Sequence, residues 1–167
     1  MRPSSCSATP YNQRLEKDVR LARCARMPSL LSLHVRQIMI AFHANHVTVS
    51  HEEWGYLVVL SQEADSAEKY LMLQARDRHD DQDVRLEMND VYVETCGQGW
   101  SWYGNIVSFE LTADRVSVQL SVEAAARMHN DGRIEATLSL DATKYSELRA
   151  ALRQVFRSSD YYIEKTV

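Results

Sequence analysis

From residue 40 onward, apolar and polar side chains alternate with the period of a β-strand. The signal is clearest in Arg115–Val122, where Val116, Val118, Leu120 and Val122 alternate with Arg115, Ser117, Gln119 and Ser121. In Arg133–Leu140, Ile134, Ala136, Leu138 and Leu140 alternate with Arg133, Glu135, Thr137 and Ser139. Both predict strands with one buried and one wet face. Ile40–Val49, Trp54–Leu60, Tyr70–Gln74, Val91–Cys96 and Ile106–Leu111 read as further strands. Trp54–Leu60 is apolar on both faces, as a central buried strand would be. Thr112-Ala113-Asp114 offers a tight hairpin, and the polar stretch Ala75–Asp90 reads as a loop.

Two segments have helical spacing. Glu123–Met128 follows a capping serine, Ser121, and stops before Asn130-Asp131-Gly132. Thr143–Arg157 places Tyr145, Leu148, Leu152, Val155 and Phe156 on one stripe and Arg149, Arg153 and Arg157 outside it. Strands first and a helix last predict an α+β fold, an antiparallel sheet with the C-terminal helix packed on one face.

Charge divides the chain where the pattern does. Residues 1–38 carry seven basic and two acidic side chains, a net of +5; residues 39–167 carry 12 basic and 21 acidic, a net of −9. The expectation is a basic leader over 1–38 outside the fold and a single acidic domain over 39–167. A secretory signal needs an unbroken apolar run, and Leu30–Val35 is interrupted by Ser32 and His34. The Arg-rich leader has a faint transit-peptide character; the favoured alternative is translation from Met27 or Met39. An acidic domain is poorly suited to phosphate backbones, so no nucleic acid is expected as partner. No membrane span is expected either, because no apolar run approaches about 18 residues. Cys6, Cys24 and Cys96 are too few for a disulfide framework, which points to a reducing, cytoplasmic setting.

Catalytic patterns are sought and not met. His43 and His46 fall on opposite faces of a strand, and His51 lies beyond it, so no metal is expected. Gly97-Gln98-Gly99 lacks the third glycine of a dinucleotide fingerprint, since position 102 is Trp102. A nucleophile elbow at Ser101 would need glycine where Tyr103 stands. The acidic residues of 77–90 lack the spacing of a calcium-binding hand. The expectation is no enzyme and no cofactor. Gly97–Gly104, GQGWSWYG, stands out: three large aromatics between glycines are the ingredients of a recognition surface or of a bend that buries its tryptophans. Candidate partner-binding residues are therefore Asp80, Asp81 and Asp83 for electrostatic steering, with Trp100, Trp102 and Tyr103 as anchors. Trp100 and Trp102 would share one face of an extended segment and Tyr103 the other.

Across residues 54–157 the sequence resembles the immunity protein 10 family of bacterial polymorphic-toxin systems. The resemblance rests on Tyr70–Gln74, Asp81-Gln82-Asp83, Val91–Glu94, Gly97–Gly104, Ile106–Leu120 and Asp131-Gly132 before a strand. It implies a cytosolic α+β protein that binds and neutralises a cognate toxin domain, often a nuclease. An acidic surface suits a partner with a basic substrate cleft. A small-ligand or regulatory protein-binding module without catalysis is the alternative, with the aromatic segment as a pocket wall. Oligomeric state is left open.

Overall fold

A computed structural model describes residues 39–64, 68–96 and 101–165. The expected leader and Trp100 lie outside the described residues. In chain order the elements are β1 (Ile40–Ala44), β2 (His46–Glu52), β3 (Gly55–Ser61), β4 (Tyr70–Arg76), α1 (Asp81–Arg85), β5 (Tyr92–Thr95) and β6 (Ser101–Tyr103). There follow β7 (Ile106–Leu111), β8 (Arg115–Leu120), α2 (Val122–Arg127), β9 (Arg133–Leu138), α3 (Ala142–Val155) and β10 (Tyr162–Glu164).

The strands form two five-stranded sheets. The first runs β1-β9-β8-β7-β10, antiparallel in its centre, with β1 parallel to β9 and β10 parallel to β7 at its edges. The second, β2-β3-β4-β5-β6, is an antiparallel meander. One apolar cluster takes in both sheets and α3, with Val58, Leu60, Leu71 and Leu73 from the second sheet, Phe109, Val116 and Ile134 from the first, and Leu148 and Leu152 from the helix. Burial of such side chains at roughly 1.5–3 kcal/mol each is the main favourable contribution to the fold. The α+β class and the covering C-terminal helix are as expected.

Three sequence expectations change. Ile40–Val49 is not one strand: Asn45 separates β1 and β2, which belong to different sheets. The Ala44 carbonyl accepts from the Ser139 amide at 3.0 Å, while the Asn45 amide donates to the Ser61 carbonyl at 3.1 Å. Alternation shows which face is buried but not which neighbour pairs. Second, Ala75–Asp90 is not all loop. β4 runs on to Arg76, and α1 starts at a reciprocal cap in which the Asp80 side chain takes the Asp83 amide and the Asp83 side chain takes the Asp80 amide. Third, Tyr162–Glu164 adds an edge strand too short for its period to be legible.

The passage from β6 to β7 moves the chain between sheets in two residues. Gly104 and Asn105 both have left-handed backbones, with φ of +61° and +59°. A Cβ at position 104 would stand 2.6 Å from the Asp90 carboxylate and would have to displace it, so space as well as the left-handed φ favours glycine there.

Candidate functional site

Strand register sorts the second sheet into rows. Val49, Val58, Leu73, Val93 and Trp102 form one row that faces the core. The rows on either side face away from it: Ser50, Leu57, Gln74, Tyr92 and Tyr103 in one, and Thr48, Val59, Met72, Glu94 and Ser101 in the other. α3 packs on the core side, where Leu148, Ala151, Leu152 and Val155 are buried. The outward rows therefore form an open face, and most of their side chains are half-buried.

The outer face of the first sheet shows how unusual this is. There Ala41, Glu135, Ser117, Glu110 and Ile163 form one row, and His43, Thr137 and Arg115 another. Several of these groups are bonded locally: His43 Nδ1 lies 2.8 Å from Thr137 Oγ1, its Nε2 lies 2.9 Å from Ser139 Oγ, and Lys165 pairs with Glu110 at 2.6 Å. The first sheet turns out a mostly polar face, interrupted by the exposed Val107 and Ile163. The second turns out Leu57, Val59, Met72 and three tyrosines, Tyr70, Tyr92 and Tyr103. Leu, Val and Met in such a cluster are costly to leave wet, and apolar patches of this kind mark contact surfaces.

At one end of the open face lies a shallow depression of about 140 Å³, lined by Trp54, Gln74, Arg76, Met88, Asp90, Tyr92 and Tyr103. Trp54, in the turn between β2 and β3, is 42% exposed. The Tyr92 and Tyr103 rings lie 5.0 Å apart at 54°. Farther along, Glu94 is only 8% exposed although it stands on this outer face. The Tyr92 hydroxyl donates to its Oε2 at 2.5 Å and the Tyr70 hydroxyl to its Oε1. Burial, followed by the bond to Glu94, raises the Tyr92 hydroxyl above the ordinary phenol range, which keeps it a donor.

The sequence-derived candidates separate in space. Asp80 is the N-cap of α1, its Oδ1 accepting from the amides of Gln82 and Asp83 at 2.8 Å each. Asp83 is buried, and its Oδ2 accepts from Arg76 Nη1 at 3.0 Å. Because Arg76 also lines the depression, this ion pair sets α1 at the rim of the open face. Asp81 is exposed in the first turn. Trp102 packs against the core with the Arg127 guanidinium 5.2 Å from its ring centroid. Tyr103 points the other way, onto the open face. Trp54, Tyr70, Tyr92 and Glu94 were missed by the sequence reading. The signal that could have pointed to this face was the double-sided apolar character of Trp54–Leu60, which carries Leu57 and Val59 and was taken there to mean burial on both faces. Among the described residues, no group of three or more His, Cys, Asp and Glu side chains is placed to hold a metal ion.

A family model described as Immunity protein 10 matches residues 43–146, from within β1 into α3. The chain belongs to the immunity protein 10 family. No curated protein matches it. The immunity protein 10 match includes the whole of the second sheet and α1, so every described residue of the open face falls inside it. Membership bears out the resemblance seen in the sequence and implies an immunity function, with a toxin as partner. No helix among the described residues is long and apolar enough to cross a membrane.

Proposed function

We propose that this protein neutralises a cognate toxin domain by binding it, without catalysis of its own, through the open face of the β2–β6 sheet. The observation that carries the reading is the clustering on the second sheet, whose outer face presents tyrosines, Leu57, Val59 and Met72 in two adjoining rows, whereas the outer face of the first sheet is mostly polar apart from Val107 and Ile163. Tyrosine gives large, stiff contact area at low entropic cost, which suits a protein partner. The exposed Asp81 and the net of −9 over residues 39–167 favour a partner with a basic surface, and a nuclease fits that description. The small-ligand reading is weakened by size, since about 140 Å³ falls well below the roughly 300–1,000 Å³ of ligand pockets.

The test is co-expression with the toxin domain encoded beside this chain's gene. Growth should be rescued by the intact protein, and the two chains should co-purify as a complex. Continued toxicity with the immunity protein present and folded would contradict the reading.

A further inference from the structure

Among the described residues of the open face, Glu94 carries a charge that the fold leaves without a cationic partner. It is a carboxylate, 8% exposed, on the outward side of a strand among Met72, Tyr92 and Ser101. Its two oxygens accept from Tyr70 and Tyr92, neither of which carries a countercharge. The ion pairs of the described residues involve other acids, and none brings Lys, Arg or His to Glu94. Burying a carboxylate without a cation carries a desolvation penalty that two neutral donors only partly offset. The same arrangement holds the carboxylate in one orientation, and each oxygen keeps a second lone-pair direction for another donor.

We infer that Glu94 is the anchor for a cationic side chain, arginine or lysine, that the partner presents at the centre of its contact surface. The inference rests on the open face being the toxin-binding surface. The partner's cation supplies the countercharge that the fold omits, and the surrounding tyrosines, Met72 and Val59 exclude water from the pair. A charge pair formed in such a setting contributes far more than one at an exposed rim. The net of −9 over residues 39–167 matches a partner of that charge and steers it in.

The experiment titrates the full chain, by calorimetry, with a catalytically inactivated form of the neighbouring toxin domain. The variants are Glu94→Gln, Ser101→Lys and, away from the open face, Val107→Lys. Ser101 pairs directly with Glu94 across β5 and β6, so a lysine there supplies the missing countercharge within the chain and repels the partner's. Glu94→Gln should weaken the Kd by about thirty-fold or more and flatten its salt dependence. Ser101→Lys should weaken it at least as much while melting no lower than the native chain, and Val107→Lys, the same charge on the outer face of the first sheet, should stay within about threefold. If Glu94→Gln fails to fold, Ser101→Lys alone decides. Native affinity in folded Ser101→Lys overturns the anchor while leaving the toxin-binding reading intact. No binding by the native chain removes both.

Discussion

Trp102 and Tyr103 are neighbours in β6 that look in opposite directions, Trp102 into the core beneath Arg127 and Tyr103 onto the open face beside Tyr92. A single peptide bond divides an aromatic packed on the core from one on the open face. Trp102→Ala should therefore lower stability by about 2–3 kcal/mol, somewhat less than a fully buried tryptophan, because its ring is only partly covered. Tyr103→Ala should change stability by under about 1 kcal/mol yet weaken toxin binding by about 2 kcal/mol. Urea unfolding and calorimetric titration of both variants separate the roles. Equal stability losses would show that the two rings do the same work.

The acidic residues around α1 should divide in a similar way. Asp83→Ala removes the reciprocal cap and leaves Arg76 without its carboxylate, so a loss of about 1–2 kcal/mol is expected in urea unfolding. Asp81→Asn should leave stability unchanged and slow association at low salt, read by stopped-flow mixing with the toxin domain. An association rate unaltered in Asp81→Asn would remove that charge from the encounter.

Much of the architecture was legible because burial and period coincide. Val116, Val118 and Leu120 against Ser117 and Gln119 marked β8, and Ser121 marked the start of α2 as its N-cap. What stayed hidden was pairing. Nothing local in Ile40–Val49 says that the chain leaves one sheet for the other at Asn45, since partner choice is settled by residues about 15 and 95 positions away. The candidate site was half legible for a related reason. Composition singled out Gly97–Gly104, and alternation put Trp102 and Tyr103 on opposite faces. Tyr70, Tyr92 and Glu94 became a group only when register aligned β4, β5 and β6. The capping role of Asp80 and Asp83 was not legible, because a carboxylate that closes a helix end and one that faces solvent look alike in a sequence.

Acid should loosen the C-terminal edge. Hydrogen bonds from Arg153, then Arg149 and Tyr162, hold the Glu164 carboxyl down at about 2, from an ordinary value near 4.5. Its folded value is depressed, so its contribution is fully present above about 4.5 and is lost as pH falls toward 2. Urea midpoints of the native chain and Glu164→Gln should differ at pH 6 and converge near pH 2. A constant difference across that range would show that the pairing of Glu164 with α3 contributes nothing that titrates.

The most direct measurement of the central claim compares two charges placed on two outer faces. Val59 lies in the middle of the open face of the second sheet, between Thr48 and Met72; Val107 is 59% exposed on β7 of the first sheet. Toxin-domain affinity of Val59→Arg and Val107→Arg is read by calorimetry, with circular dichroism confirming that both are folded. Binding through the open face predicts at least about a hundredfold loss for Val59→Arg and a Kd within about threefold of native for Val107→Arg. A folded Val59→Arg chain that binds the toxin domain with native affinity would contradict it.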